Sequence, residues 1–340
     1  MSHKQGEEGH SGVGTDTGLP AWLDPELATL TKDRFSDPAW IFERKLDGER
    51  CLAFCGPDGV QLRSRNQRDI TTTFPEVAGA LETQRQDAGR GGLVLDGEVV
   101  AFDGTQTRFE RLQHRLGLVD PDPELVRSVP VVYHMFDVMY AEGADTRQLP
   151  LLERKDILAR VVSYRDPLRY TEHRVGDGVG FYAQACHDGW EGLIAKLASA
   201  PYVSGRNKNW LKFKCESGQE LVVGGFTDPQ RSRVGFGALL LGYYSQDGEL
   251  VYAGKVGTGF DNQTLRSLRT RLDGLEQDAA PFQAGPPVRE RGVHWVRPEL
   301  VAEVGFSEWT DAGELRHPRF QGLRDDKSAR EVVREDPGGS

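Results

Sequence analysis

Long apolar runs are absent from this chain, and cysteine is scarce. No stretch approaches the roughly 20 consecutive apolar residues that a membrane-spanning helix needs, and the residues before Leu19 contain no apolar core of a signal peptide. Four cysteines in 340 residues are too few and too scattered for a disulfide framework. These absences argue against a membrane protein and against a small disulfide-stapled domain, and they predict a reducing compartment. Cys51 and Cys55 fall on one face of a predicted strand, which predicts burial rather than metal binding.

Positive charge is in deficit, because 52 acidic residues against 42 basic ones give a net charge of −10. An acidic average argues weakly against a nucleic-acid partner. The local distribution differs, since Arg206, Lys208, Lys212 and Lys214 follow one another with no acid among them. A basic groove can therefore coexist with the acidic average.

The length of the chain predicts two domains, because 340 residues exceed what one hydrophobic core usually organises. Residues 1–19 have the composition of a disordered tail, and residues 331–340 are predicted to form a second frayed tail. The texture changes to short strands after about Glu216–Gln219. We therefore expect one domain at residues 20–216 and another at residues 217–330.

Most segments of the sequence predict strands joined in hairpins. Cys51–Phe54 and Val60–Arg65 flank a Pro-Asp-Gly turn. Further predicted strands are Leu93–Phe102, interrupted by Asp96-Gly97, Val129–Val138, and, after the boundary, Leu221–Phe226, Ala238–Tyr244 and Glu249–Val256. Two amphipathic helices are predicted at Leu151–Val162 and Val179–His187. The three last strands indicate a small barrel.

One short stretch, ERKLDGER at residues 43–50, places Lys45 between an apolar strand and an Asp-Gly turn. Alone it allows two interpretations, a solvated surface charge or a nucleophile. Further elements follow in a fixed order: Arg63-Ser64-Arg65-Asn66, Leu95-Asp96-Gly97-Glu98, Phe136-Asp137, Glu191-Gly192-Leu193-Ile194-Ala195-Lys196, Trp210-Leu211-Lys212-Phe213-Lys214, and Arg324-Asp325-Asp326-Lys327.

In this order and spacing the elements resemble the signature of the covalent nucleotidyltransferases, KxDGxR, SRN, DGE, an aromatic before Asp, EGxxxK, KxK and RxDK. Within that superfamily the stretches GLIAK, YVSGR, NWLKFKC and FGALLLGYY are similar to the ligase domain of the bacterial ligase D type, an ATP-dependent DNA ligase of end joining. The resemblance implies an α+β fold, in which a nucleotidyltransferase (ATP-grasp-like adenylation) domain is followed by an all-β OB-fold domain.

The resemblance makes Lys45 the catalytic nucleophile that attacks the α-phosphorus of ATP and becomes a lysyl-adenylate. A lowered pKa of Lys45 is expected from partial desolvation and from the neighbouring cations Arg50, Lys212 and Lys214. These cations would also meet the charge that grows on the phosphate. Magnesium, or alternatively manganese, is the implied metal cofactor, with Glu98 and Glu191 as candidate ligands.

The other residues that the resemblance assigns to nucleotide binding are Glu43, Arg65, Glu98, Phe136, Lys196, Arg324 and Lys327. For Arg65 the resemblance leaves two roles open, a contact to the bound nucleotide or a contact to the DNA 5′-phosphate. Phe136 would stack under the adenine, and Arg324 and Lys327 would orient pyrophosphate when the two domains close.

From the sequence alone, plainer interpretations stay open for several of these residues. Glu98 can be a turn acid, Phe136 a core aromatic, and Lys212 and Lys214 residues of a half-exposed edge strand. Arg324 and Lys327 can be solvated.

The predicted activity is the sealing of nicked or broken double-stranded DNA through lysyl-AMP and DNA-adenylate. The alternatives are an RNA ligase, a GTP-dependent capping enzyme, or a catalytically silent OB-fold protein that binds nucleic acid. A Ku-like end-binding protein and a separately encoded polymerase are expected partners, since no polymerase or phosphoesterase module lies in these residues. A monomer in the bacterial cytoplasm, associated with the nucleoid, is expected.

Overall fold

The computed structural model describes residues 19–87, 92–215, 218–229 and 233–335. Within these ranges no helix has the length and apolarity needed to cross a membrane. The predicted tail at residues 1–19 lies outside them except for Leu19, which packs against a buried apolar cluster. The predicted domain boundary begins at residue 216, also outside them, and stays a prediction.

Residues 26–214 form two β-sheets with helices packed around them. The strands are β1 (Glu26–Leu30), β2 (Trp40–Arg44), β3 (Glu49–Gly56), β4 (Gly59–Ser64), β5 (Leu93–Asp103), β6 (Gln106–Thr107), β7 (Val131–Ala141), β8 (Ala144–Asp145), β9 (Leu168–Tyr170), β10 (His173–Val175), β11 (Gly192–Leu197) and β12 (Gly205–Lys214). The helices are α1 (Pro75–Asp87), α2 (Phe109–Leu112), α3 (Pro123–Ser128), α4 (Leu151–Val161) and α5 (Gly178–His187).

The first sheet has the order β1-β12-β11-β2-β10. Lys212 on β12 pairs with Leu30 of β1 on one side and with Ile194 of β11 on the other. The edge-strand interpretation of this lysine segment is therefore wrong. Because side chains alternate along a strand, Lys212 and Lys214 point to the same face of the sheet.

The second sheet has the order β4-β3-β5-β7-β8. The hairpin predicted around Pro57-Asp58-Gly59 is confirmed as β3 and β4. Asp96 and Gly97 lie inside the continuous strand β5. The pairing register between β5 and β7 shifts at this point, but the chain does not turn. A Cβ on Gly97 would lie 2.5 Å from the carbonyl oxygen of His134, so the close approach of β7 requires glycine there. The turn-acid interpretation of Glu98 is wrong.

The side chains of β3 point alternately to its two faces and pack into two different apolar clusters. Leu52 and Phe54 point into the space between the two sheets, where they meet aromatic residues of β7 and β12. Cys51 and Cys55 point to the other face, into the cluster that packs against α1 and α4. Both cysteines are buried and free, as predicted.

Residues 218–323 form a separate sheet system, and no strand pairing among the described residues joins it to the first two sheets. The strands are β13 (Gly218–Thr227), β14 (Leu239–Tyr244), β15 (Leu250–Val256), β16 (Glu276–Gln277), β17 (Val293–Val296), β18 (Val301–Gly305), β19 (Glu308–Trp309), β20 (Leu315–Arg316) and β21 (Arg319–Leu323). Strand β13 pairs with β14 along one edge and with β18 and β17 along the other. This region is not all-β, because α6 (Asn262–Asp273) buries Leu265, Leu268 and Leu272 in its core.

Two expectations about the chain are corrected by the structure. Cys186, at the end of α5, and Cys215, directly after β12, form a disulfide, with 5.3 Å between their Cα atoms. The pair forms because β11 follows α5 and pairs with β12, which brings residues 29 positions apart together. The disulfide removes the basis for predicting a reducing compartment. The predicted tail from Glu331 is also placed as far as Glu335: Ala329–Glu331 form a 3₁₀ helix, and the Tyr244 amide donates to the Val332 carbonyl.

Candidate active site

A cavity of about 370 Å³ opens between the two sheets of residues 26–214 and is also lined by residues after 218. Its walls include each of the residues that the sequence predicted for catalysis, nucleotide binding or metal binding: Glu43, Lys45, Arg50, Arg65, Glu98, Phe136, Glu191, Lys196, Lys212, Lys214, Arg324 and Lys327. The fold thus brings together positions that lie up to hundreds of residues apart in the chain.

One end of the cavity is aromatic and has the character of a base-binding end. Phe136 and Trp210 meet edge to face, with ring centroids 5.9 Å apart. The Lys196 ammonium lies 4.3 Å and 3.9 Å from the centroids of these two rings. The Arg50 guanidinium lies 4.7 Å from the Phe136 ring and forms two hydrogen bonds of 2.5 Å to Asp96. Phe136 is both a core aromatic and a wall of the cavity, so the two interpretations of it are compatible.

Glu43 lies beside this aromatic end and shares its carboxylate between two lysines. Lys155 Nζ lies 2.6 Å from Oε1, and Lys196 Nζ lies 2.6 Å from Oε2. Burial alone would raise the pKa of Glu43, but the two ammonium groups outweigh burial and hold it below its usual value. The carboxylate is therefore ionised and acts only as an acceptor.

Lys45 follows β2 and is held by its backbone amide, which donates to the carbonyl of Gly192 at 2.9 Å. Its ammonium contacts Glu191 Oε1. Burial and the nearby Lys214 lower the pKa of Lys45, yet the contact with Glu191 outweighs both, and the net shift is upward. The sequence predicted a lowered pKa, and that prediction is wrong for this arrangement, because it counted the cations and missed the carboxylate.

The opposite end of the cavity holds the lysine pair of β12, and a carboxylate already occupies it. Glu335 contacts Lys212 directly, and its Oε2 lies 3.6 Å from Lys214 Nζ. Although burial raises its pKa, the two lysines lower the pKa of Glu335 to about 2. A carboxylate between two ammonium groups takes the place that a phosphate would take.

The region after residue 218 contributes further charges to this end. Arg324 forms two hydrogen bonds of 2.8 Å to Asp326 and lies 3.8 Å from Glu303. Lys327 Nζ lies 3.1 Å from Glu220 Oε1. Both cations are largely buried, so the interpretation of Arg324 and Lys327 as solvated residues is wrong.

Two carboxyl groups face the middle of the cavity. Burial raises the pKa of Glu98 to about 7, although Arg50, Arg324 and Lys45 oppose the shift. Glu191 keeps its Oε2 buried and without a hydrogen-bond partner among the described residues. In the same part of the chain no group of three or more His, Cys, Asp or Glu side chains is arranged to hold a metal ion. A cation here would take its remaining ligands from the nucleotide phosphates and water.

The predicted phosphate or DNA contacts lie at the rim. Arg65 NH2 lies 2.9 Å from Glu331, in the 3₁₀ helix. Arg206 also lines the cavity, while its neighbour Lys208 is exposed.

Sequence reasoning missed several of the charged residues described above, among them Lys155 and Glu335. Lys155 lies outside every motif, and its contact with Glu43 spans 112 positions, so no local signal reveals it. Glu335 was placed in a frayed tail because its neighbours are polar. The one available signal was its charge, which complements the cations of the basic segment.

Comparison with known proteins gives matches along most of the chain. Residues 25–214 match the family model of the ATP dependent DNA ligase domain, and residues 232–327 match that of the ATP dependent DNA ligase C terminal region. The chain is similar to the multifunctional non-homologous end joining protein LigD of Pseudomonas aeruginosa, with 40% identity over 334 residues, which are 96% of this chain and 38% of that protein.

Two further relatives extend the comparison. The non-homologous end joining DNA repair protein LigD of Mycobacterium tuberculosis is 36% identical over 318 residues, which are 92% of this chain and 40% of that protein. A solved structure of mycobacterial DNA ligase D, complexed with ATP and MES, aligns with a TM-score of 0.65 and 35% identity, covering 92% of this chain and 98% of that one. The chain thus spans about two fifths of the curated relatives' length.

Proposed function

Because the chain belongs to the family of ATP-dependent DNA ligases, we propose that it seals nicks or joined ends in double-stranded DNA with ATP. The observation that carries this proposal is that Lys45 lines one cavity together with Phe136 and the lysine pair Lys212 and Lys214. The names of the relatives from Pseudomonas aeruginosa and Mycobacterium tuberculosis support a duty in end joining.

The proposed reaction has three phosphoryl transfers. Lys45 Nζ forms a bond to the α-phosphorus of ATP, and the bond to pyrophosphate breaks. The 5′-phosphate at the DNA break then attacks the same phosphorus, so AMP passes from nitrogen to the phosphate oxygen. Finally the 3′-hydroxyl attacks the DNA phosphorus, the phosphodiester forms and AMP leaves. Such steps depend on positioning and on charge stabilisation.

The lysine must lose its proton before the first step, and the contact with Glu191 opposes this loss. The residues present fit a divalent cation, because the carboxyl groups of Glu191 and Glu98 face the cavity and carboxylate oxygen is the ligand that Mg²⁺ prefers. When bound, such a cation would neutralise phosphate charge and compete with Lys45 for the Glu191 carboxylate. Lys212 and Lys214 are placed to bind the α-phosphate as charge grows on it.

The region after residue 218 is proposed to close over the nucleotide for the first step and to open for DNA. Arg324 and Lys327 reach the cavity in the described arrangement, which supports a closed state. They would orient the leaving pyrophosphate.

The proposed partner is nicked or broken double-stranded DNA, with a Ku-like end binder and a polymerase as further partners. We propose that the chain acts as a monomer in the bacterial cytoplasm, in association with the nucleoid.

The test is self-adenylation with ATP labelled on the α-phosphate, compared with labelled GTP, in the presence of magnesium. A covalent, acid-labile adduct is expected with ATP, and Lys45→Ala should abolish it. Labelling of the alanine variant at the wild-type level would contradict the nucleophile. Sealing assays on matched DNA and RNA nicks separate a DNA ligase from an RNA ligase.

The DNA part of the proposal has its own test. Each phosphate paired with a cation releases a counterion, so the affinity for nicked duplex should fall with salt by a log–log slope of about 0.9 per contact. Replacing Arg206 and Lys208 by alanine should flatten this slope by roughly one unit per lost contact and leave labelling of Lys45 intact. An unchanged slope would assign this basic stretch to the nucleotide or to the fold.

A further inference from the structure

A buried lysine outside the cavity, Lys155, contacts the carboxylate that lines the aromatic end. Lys155 lies on α4 with 1% of its surface exposed, and it is not among the described residues that line the cavity. Its Nζ lies 2.6 Å from Glu43 Oε1 and donates to the carbonyl of Thr171 at 2.8 Å. Through Glu43, Lys155 can therefore act on a bound nucleotide that it does not itself contact.

Glu43 and Lys196 together present a fixed acceptor beside a fixed donor. Burial raises the pKa of Glu43, but Lys155 and Lys196 lower this pKa by more than burial raises it. The carboxylate is therefore ionised and has no proton to donate. A carboxylate has about four lone-pair positions, of which the two lysines use two. The Lys196 ammonium carries three N–H donors, and its 2.6 Å contact with Glu43 Oε2 engages one of them, so donors remain for a bound base. Both groups line the cavity next to Phe136 and Trp210.

The Glu43 acceptor and the Lys196 donor complement the Watson–Crick edge of adenine but not that of guanine. The Watson–Crick edge of adenine carries a 6-amino donor beside the N1 acceptor, so it can donate to Glu43 and accept from Lys196. Guanine carries a 6-oxo acceptor beside an N1–H donor, which sets acceptor against donor in the reverse order. A base whose polar groups stay unpaired in a buried site is rejected strongly.

We propose that Lys155 is a positioning residue for base selection, which holds Glu43 ionised and oriented as the acceptor for the adenine 6-amino group. This inference rests on the proposed function, because it concerns the nucleotide that Lys45 uses. Without Lys155, Glu43 keeps one cation. It then either draws Lys196 into a bidentate pair or takes up a proton, and in both cases the donor and acceptor pattern is lost.

The experiment measures kcat/KM for self-adenylation with ATP and with purine riboside triphosphate, which lacks only the 6-amino group. Wild type should prefer ATP by about tenfold to a hundredfold, the factor for one hydrogen bond to a charged acceptor. Lys155→Met should reduce this preference to about threefold or less, mainly through a higher KM for ATP. Lys155→Arg, which keeps the cation, should restore most of it. GTP use should rise in Lys155→Met relative to ATP use.

The matched control is Arg154→Met. Arg154 lies on the same helix, is equally buried and pairs with Asp137 at 2.7 Å, and neither residue lines the cavity. A purely structural loss lowers activity with both nucleotides alike, so the ratio should stay at the wild-type value in this variant. Thermal melting of each variant shows how much fold is lost.

The inference is overturned if Lys155→Met keeps the wild-type ratio, or if Arg154→Met lowers the ratio as much. If Lys155→Met does not fold, Glu43→Gln takes its place, because an amide can both donate and accept. The preference of Glu43→Gln for ATP over purine riboside triphosphate must fall as well, and an unchanged preference overturns the inference. Absence of any labelling of wild type with ATP contradicts the proposed function instead, so the two failures are distinguishable.

Discussion

The two ends of the cavity differ in how their charges are paired. At the aromatic end, Glu43 meets two lysines of the same domain, and all three side chains are at most 2% exposed. At the lysine-pair end, the acid that meets Lys212 and Lys214 is Glu335, near the end of the chain, and these side chains are 9% to 13% exposed.

This difference indicates that the aromatic end is formed before the nucleotide arrives, whereas the lysine-pair end is neutralised by protein acids that must give way to phosphate. Buried and fully paired charges are costly to separate. The lysine-pair end is somewhat more open to solvent, so its ion pairs exchange partners at a smaller cost. Removal of a cation that faces the phosphate should therefore mainly lower kcat, whereas removal of a group that contacts the base should mainly raise KM.

The largest effect is expected at the lysine-pair end. Lys214→Met removes a cation that faces the α-phosphate in the transition state, so kcat for self-adenylation should fall by about 10²- to 10³-fold, with a small change in KM. Rapid-quench measurement of labelled protein checks this. Lys255→Met is the control, because Lys255 pairs with Glu290 outside the cavity and should leave the rate unchanged. Loss through KM alone would erase the contrast between the two ends.

A second effect concerns pH. Glu191 holds the pKa of Lys45 above its usual value, despite burial. Below that pKa the neutral fraction of Lys45 rises about tenfold per pH unit, so kcat/KM for self-adenylation, which reports the free enzyme, should climb with a slope near one. The rate profile between pH 6 and 9 checks this. A plateau that begins below pH 7 would show that Glu191 does not control the nucleophile.

A smaller effect is expected at the aromatic end. Phe136→Ala removes a stacking partner for the base, so KM for ATP should rise by about tenfold while kcat changes little. Phe136→Trp, which keeps an aromatic face, should retain affinity, and Phe136→Leu should resemble alanine. Steady-state labelling with varied ATP separates the two constants. A fall in kcat without a change in KM would mean that this end also acts on the chemical step.

The smallest effect is a gain. Glu335→Ala removes the carboxylate that occupies the lysine pair, so KM for ATP should fall by about threefold, the order of one weak ion pair. Glu299→Ala serves as the control, since Glu299 pairs with Arg297 away from the cavity and should leave KM unchanged. An equal or higher KM in Glu335→Ala would show that Glu335 orders the lysines rather than competing with phosphate.

The adenylation and OB-fold architecture expected from the motifs is confirmed by the family models and the ligase D structure. The motif residues converge because the reaction needs those side chains in one place, and the topology of the fold fixes their order in the chain. Helix α6 was predictable from the sequence, because Leu265, Leu268 and Leu272 follow a helical spacing. It was not predicted, because the short strands around it indicate a barrel.

Other features could not be read from the sequence, because they depend on which distant segments meet. Glu335 reaches Lys212 across 123 positions, and no periodicity encodes that contact. The disulfide between Cys186 and Cys215 likewise depends on two element ends that meet in space. The upward pKa shift of Lys45 follows mainly from its contact with Glu191, which spacing alone does not reveal.

The parallel pairing of β1 with β12 has a consequence for how the chain folds. Thr29 on β1 donates a hydrogen bond to the carbonyl of Asn207 on β12, 178 positions later. During synthesis the first strand must therefore wait until nearly all of residues 26–214 have left the ribosome before its partner exists. Contacts of such long sequence separation slow folding. Before β12 has formed, the edge of β11 that later pairs with it is unpaired, and chaperones or other chains can bind there.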